Sequence, residues 1–302
     1  MRTEIRSRAL SGGFDVLNAT LLGVFALLTV YPFLEILQIS LSHPAQVEPE
    51  YRYAVAAWAQ TASFDIYGFI LGWSRTLRGF GYSIFYTATG ICAALVLNTL
   101  AAYPLSKRRL RFKGPVVVYI ALTMFFSGGL IPTYLLVLNL GLVNTVWAIV
   151  LPTAFSAWHM IMMRTFFQQI PNEMEESAQI DGANDLVVLV RIYVPLCSAL
   201  FATMIVYFFI MNWNAWFAAL IYLDDAARYP IQLVLRDFVI QGEAAYEITG
   251  IGFYKGYYLS EPPVQRILGA SIMVLTLVPI VLIYPFAQKY LIKGTMIGAI
   301  RG

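Results

Sequence analysis

Charged side chains are missing from five long stretches of this chain, and that absence limits its fold more than any motif does. Val16–Leu34 lies between Asp15 and Glu35, and Gly79–Ser106 between Arg78 and Lys107. Gly114–Met163 lies between Lys113 and Arg164, Ile192–Leu223 between Arg191 and Asp224, and Ile267–Gln288 between Arg266 and Lys289. A helix needs about 20 mostly apolar residues to cross a bilayer core. The stretch from Gly114 is long enough for two such helices. Its turn falls at Asn139-Leu140-Gly141-Leu142-Val143-Asn144, where Gly and Asn break a helix. Six spans are predicted, at about 15–38, 81–105, 115–138, 143–164, 198–222 and 267–288. The expected fold class is an all-α membrane protein with one transmembrane domain over residues 1–302.

Composition agrees. Of 302 residues, 59% are hydrophobic and 12% charged, where a soluble domain carries about 25% charged residues. That excludes an ordinary soluble enzyme, a disordered chain and a disulfide-rich secreted module. The net charge of +3 is too small to argue for nucleic acid. Cys92 and Cys197 are too few for a disulfide framework or a metal site and read as small packing residues. Arg2, Arg6 and Arg8 before the first apolar run resemble a signal peptide, but no small-x-small cleavage site follows. The first run is therefore expected to stay as a span.

Lys and Arg set the orientation. The N-terminus, the loop Lys107–Lys113, the loop with Arg164 and Arg191, and the C-terminus hold 13 of the 20 basic residues. These segments fall on one side, so both termini are expected in the cytoplasm. The opposite side has two long segments, about 42–80 and 223–266, rich in aromatics such as Trp58, Trp73, Tyr246 and Tyr254. Such rings either anchor at the interface or rest on a partner.

Several chemistries are missing. There is no G-x-x-x-x-G-K-[ST], so the chain does not hold ATP in a P-loop. No H-E-x-x-H, Cys/His cluster or G-x-S-x-G occurs. The spans contain almost no ionisable side chains away from their ends; His159 is the exception and reads as a packing residue. A proton-coupled pump would carry more. Sodium coupling through backbone carbonyls stays open.

The loop at 165–197 carries the most information. Residues 168–185 are too polar to cross a bilayer yet patterned as helix. Asn172 with Glu175 three residues on forms a capping-box pattern, and Glu173, Glu175 and Glu176 suit a helix start. Met174 and Ala178 share a face, while Ser177 and Ala178 are small enough for close approach. Gly182 supplies the terminating turn, and a second short helix is predicted from Asn184. An acidic helix is repelled by anionic lipid, so a soluble partner is expected on it rather than the membrane surface.

This loop resembles the E-A-A-x3-G-x9-I-x-L-P signature of ABC importer permease subunits. Here it reads Glu176-Ser177-Ala178, Gly182, Ile192, Val194 and Pro195, with the spacing kept and Ser177 and Val194 as departures. The runs Phe126–Tyr134, Met163–Phe167, Asn212–Phe217 and Lys293–Ala299 resemble the carbohydrate-uptake branch, and within it permeases for alginate-type and pectin-type oligosaccharides. The resemblance implies a type I importer permease fold in a bacterial inner membrane. It also implies a non-catalytic subunit, paired with a second permease subunit, two ATPase subunits that bind ATP and Mg, and an extracytoplasmic solute-binding protein. No cofactor is expected on this chain itself. The ATPase contact would involve Met174, Glu175, Glu176, Ser177, Ala178, Asp181, Gly182 and Ala183, with spans three to five following its motion. The saccharide could be acidic.

A sugar path needs hydrogen-bonding and stacking groups. Asn212, Trp213, Asn214 and Trp216 supply both, although the asparagines could equally bond between helices. Ser127-Gly128-Gly129 either unwinds its helix or lets a neighbour approach, and close packing is the favoured reading. The alternative function is a self-sufficient secondary carrier or channel for a polar solute. It predicts an inverted repeat, and no convincing internal symmetry is visible.

Overall fold

The computed structural model describes residues 2–43, 62–241, 253–254, 257–258 and 261–299. Arg52, Trp58, Tyr246, Lys255 and Arg301 lie outside the described residues. Two compact units are present: Met1–Trp73 with Asp237–Leu275, and Ser74–Arg236 with Thr276–Gly302.

In the first unit, helix α1 (Arg2–Ser40) contains a long apolar run from Gly13 with no buried face. Helix α2 (Asp65–Leu71) buries Ile66 and Ile70. The Ser40 hydroxyl meets the Tyr67 phenol at 2.7 Å, and the Ser271 hydroxyl donates to the Ser40 carbonyl at 3.2 Å. The end of α1 is thus tied by polar contacts that an apolar sequence scan does not register. Phe253–Tyr254 and Tyr257–Tyr258 pair as a two-stranded antiparallel ladder.

The second unit is built around one helix, α3 (Ser74–Ser106). Its buried residues include Gly79, Ser83, Thr87, Gly90, Ala94, Asn98 and Ala102. These recur every three or four positions, so they form one stripe of small side chains. Lipid tails supply no hydrophobic drive for helices to associate, and small residues let backbones approach instead. Against α3 lie α6 (Val146–Ala154), α7 (Ala157–Phe167) and α11 (Ser198–Trp213). The closest approach is at Gly90, where a Cβ would overlap the Asn212 carboxamide of α11.

The third predicted span is not one helix. It is α4 (Lys113–Leu122) and α5 (Leu130–Asn139), separated by residues 123–129. Gly129 has φ +85°, and a Cβ built there meets nothing within 4 Å. Ser127-Gly128-Gly129 therefore unwinds the chain, and the close-packing reading is corrected. The turn expected at 139–144 is present. Asn144 has φ +64° and bonds through its side chain to the Asp224 amide and carboxylate at 2.7 and 2.6 Å.

The fourth span is bent by 54° between α6 and α7. The bend frees the Ala154 carbonyl and the Ser156 amide, and both would be orphaned in a bilayer. Asn98 of α3, fully buried, resolves this with one side chain. Its Nδ2 donates to Ala154 O at 2.9 Å and to Ala94 O at 2.7 Å, and its Oδ1 accepts from Ser156 N at 3.2 Å.

Beyond the polar loop come α8 (Asn172–Ile180), α9 (Asp185–Val188), a π-helical turn (Leu189–Tyr193) and α10 (Val194–Leu196). Pro195 has no N–H and its ring crowds the carbonyl four residues back. The wider turn just before it accommodates that missing bond. The chain then turns by 85° into α11. Next come α12 (Trp216–Tyr222), α13 (Ile231–Gln241) and the C-terminal helix α14 (Pro262–Ala299). The Ser83 hydroxyl accepts from the Ile231 amide at 2.8 Å, fixing the start of α13 against α3.

Three described helical segments are long and apolar enough to cross a membrane: Gly13–Ser40, Ser74–Ser106 and Pro262–Phe286. The pairs α6–α7 and Asp185–Leu196 with α11 pass the same test as bent spans.

Candidate coupling site

Helix α8 stands on the polar loop and is closed by a complete Schellman motif. The Ala183 amide donates to Ala178 O at 2.9 Å, and the Gly182 amide to Gln179 O at 3.0 Å. Gly182 has φ +83°, a conformation that costs an L-residue about 1–2 kcal/mol. Gly182→Ala is therefore expected to lower stability by about that amount, read as a lower thermal midpoint of the purified chain. The second short helix starts where predicted, and Asn184 caps it, its Oδ1 accepting from Val187 N at 2.9 Å.

The start of α8 differs from the sequence reading. Helical residues begin at Asn172, Pro171 is the cap residue, and no side chain caps the helix. The capping box is corrected for a physical reason: Glu175 is engaged elsewhere. It is buried, and its Oε2 accepts from Lys107 Nζ at 2.5 Å and from the Tyr193 hydroxyl at 3.1 Å. Its Oε1 accepts from Gln179 Nε2 at 3.1 Å and lies 3.6 Å from Arg109 Nη2.

Lys107 follows the last residue of α3 and is buried as well. Its ammonium lies 3.8 Å from the Tyr103 ring centroid and 4.1 Å from that of Tyr193. The two rings meet edge to face at 5.0 Å, and Phe167 meets Tyr193 edge to face at 5.6 Å. A cation between aromatic faces gains electrostatic energy that grows as water is excluded. Burial pulls the Lys107 pKa down, opposed by the hydrogen bond and charge of Glu175. Burial, then the Glu175 charge, pushes the Tyr193 phenol above its ordinary range, so it remains a donor. A second tie, Arg109 to Asp185 at 2.6 Å, is exposed and contributes less. Arg164 Nε donates to Leu105 O at 2.9 Å and adds α7 to the same junction. Together these contacts join α8 to the end of α3.

The other residues expected at the loop divide by exposure. Met174, Glu176, Ser177, Asp181 and Gly182 are exposed, as is Ile180. Ala178 and Ala183 are half-buried and pack against the core beneath the loop. Glu175 faces inward, so α8 has an anchoring face and a free face.

The residues expected along a sugar path are dispersed. Asn212 is half-buried and donates to Phe208 O at 2.8 Å. Trp213 is turned inward, stacked on Phe209 at 5.8 Å, and its indole N–H donates to Thr276 O at 3.1 Å. Asn214 is exposed and donates to Ile210 O at 2.9 Å. Trp216 is exposed, with the Arg236 guanidinium 5.3 Å from its ring. Sequence reasoning passed over Lys107, Tyr103, Tyr193 and Asn98. Tyr103 and Lys107 are four apart at a helix end, a spacing that puts them on one face and could have flagged half of the cage.

Comparison with known proteins agrees with this architecture. Residues 66–297 match the family described as "Binding-protein-dependent transport system inner membrane component". The chain is 38% identical over 294 residues to the polygalacturonan/rhamnogalacturonan transport system permease protein YtcP of Bacillus subtilis, covering 96% of this chain and 98% of that one. It is 37% identical over 291 residues to protein LplC of the same organism, covering 96% and 95%. Among solved structures, it matches a bacterial ABC transporter involved in the import of the acidic polysaccharide alginate. That match has a TM-score of 0.78 and 31% identity, covering 92% of this chain and 96% of the other. An anchored loop helix, apolar spans and these matches lead to one conclusion: the chain belongs to the family of binding-protein-dependent transport system inner membrane components, as a non-catalytic permease subunit.

Proposed function

We propose that residues 1–302 act as one permease domain of an ATP-driven oligosaccharide importer, with six spans and both termini in the cytoplasm of a bacterium. The observation that carries this reading is helix α8: its Glu175 face is anchored at the end of α3, and Met174, Glu176 and Ser177 are exposed on the rest of it. Such a helix suits a cleft in one ATPase subunit, and closure of the ATPase pair on ATP and Mg would move it as a rigid body. A second permease subunit completes the path, and a solute-binding protein delivers sugar from outside. Met174, Glu176, Ser177, Asp181 and Gly182 meet the ATPase. Glu175, Ala178 and Ala183 hold the helix in place.

The same anchoring changes which span moves first. Glu175 is bonded to Lys107, so a push on α8 reaches α3 directly. Spans four and five follow through their packing on α3, and span three follows through the packing of α4 on α7.

An acidic saccharide is the favoured cargo. Trp216 offers a ring for stacking beside the Arg236 cation, and Asn214 offers a carboxamide. The relatives named for polygalacturonan and alginate support the same class. The test is ATP hydrolysis by the transporter reconstituted with its binding protein. Oligogalacturonides are expected to stimulate turnover several-fold and neutral gluco-oligosaccharides of equal length to leave it at the basal rate. Equal stimulation by both would remove the acidic assignment.

A further inference from the structure

A cavity of about 390 Å³ opens beside the junction of α3 and the loop. It is amphipathic. Leu100 and Pro104, on the last two turns of α3, and Leu186 of α9 form exposed apolar walls. Arg109 and Arg111, with Lys107 behind them, supply its cationic end.

These cations are not equivalent. Lys107 is committed to Glu175, and Arg109 to Asp185. Among the described residues Arg111 has no ion pair or hydrogen bond, and it is exposed. Among the described residues Asp185 is the one acid lining the cavity, and it is already paired. The local field therefore retains an unsatisfied positive charge.

We infer that this cavity is a binding site for one anionic glycerophospholipid, with its phosphate on Arg111 and an acyl chain along Leu100 and Leu186. The placement favours lipid over other anions. The walls belong to the end of a membrane-spanning helix, where acyl chains are at hand, and the cation sits at headgroup level. Basic pockets at this level of a membrane protein suit anionic headgroups. A free phosphate would leave the leucine walls in contact with water. An acidic protein segment would have to bring matching apolar side chains down to the bilayer boundary. Occupancy would brace the junction that carries Lys107 and Asp185 without contacting the free face of α8.

The test is phospholipid retention. The full chain, with whatever accompanies it, is purified in mild detergent doped with equal phosphatidylglycerol and phosphatidylcholine, then stripped by dilution. Retained lipid per chain is counted by mass spectrometry. Wild type is expected to keep about one phosphatidylglycerol in preference to phosphatidylcholine. Arg111→Gln is expected to reduce that retention about fivefold, the attraction of one surface arginine for an anionic headgroup. Leu186→Trp, which fills the cavity, should reduce it comparably. Arg108→Gln, on the same loop but outside the cavity, should not. Equal losses in the Arg108 and Arg111 variants would reduce the effect to diffuse attraction by the basic loop and overturn the site. Unchanged lipid with loss of an accompanying protein chain from Arg111→Gln would assign the cavity to a protein partner instead. Neither result bears on whether the chain is an importer subunit.

Discussion

Glu175→Ala is expected to destabilise the chain by about 3–5 kcal/mol, the cost of leaving one member of a buried ion pair without its partner. The substitution removes one carboxylate but strands three donors: the Lys107 ammonium, the Tyr193 hydroxyl and one Gln179 amide hydrogen. The lysine suffers most, because it is buried between two rings with no other counter-charge at hydrogen-bond distance among the described residues. Lys107→Met should cost less, since the methionine stem fills the Tyr103–Tyr193 cage while Arg109 still lies near Glu175. The double variant Lys107→Met/Glu175→Leu separates charge from packing. A buried pair replaced by apolar residues of similar size is often neutral or better, so the double variant should recover most of the stability lost by Glu175→Ala. Its thermal midpoint is compared with those of Lys107→Met and Glu175→Leu made singly. A double variant as unstable as the sum of the singles would mean that the pair is not a closed unit.

The second large effect is expected at Asn98. Asn98→Leu leaves the Ala154 carbonyl and the Ser156 amide without partners at the bend between α6 and α7. Each unsatisfied buried group costs about 1–3 kcal/mol, so the pair costs about 2–6 kcal/mol. No water is at hand at this depth to relieve the loss. The adjacent residue provides the control. The Thr99 hydroxyl is buried and has no hydrogen-bond partner among the described residues. Thr99→Val removes a polar group that gains nothing from its site and should be neutral or slightly stabilising. Thermal unfolding of both variants in the same detergent decides the matter. Equal midpoints for Asn98→Leu and Thr99→Val would show that the bend is held by packing and not by the carboxamide.

Much of this architecture is legible in the sequence, and the remainder is hidden for identifiable reasons. Apolar runs bounded by charges mark the helix-rich segments because lipid forbids unpaired charges. The turn at Asn144 and the stop at Gly182 are readable because few residues adopt positive φ cheaply. The broken third span is not marked by charge, since residues 123–129 carry no charged side chain. Local rules also mislead where a tertiary partner competes. Glu175 fits a capping box by spacing, yet Lys107, 68 residues earlier, offers it an opposite charge in a dry site. The Asn98 clamp likewise depends on residues 56 and 58 positions away. Trp213 and Trp216 look alike as path residues, but the Thr276 carbonyl takes up the indole N–H of Trp213.

The most direct test of the importer account is recovery of partners with the tagged chain from its native membrane, compared with a Ser177→Arg variant. Ser177 is exposed on the free face of α8 and makes no contact with the Glu175 anchor. Arginine there should leave the fold intact while blocking a close approach. Wild type is expected to bring down a second permease and an ATPase, and Ser177→Arg to keep the permease while losing at least about tenfold of the ATPase, a change of roughly 1.4 kcal/mol or more in association. A chain recovered alone, or an ATPase retained in full by the variant, would contradict the assignment of α8 as the docking helix.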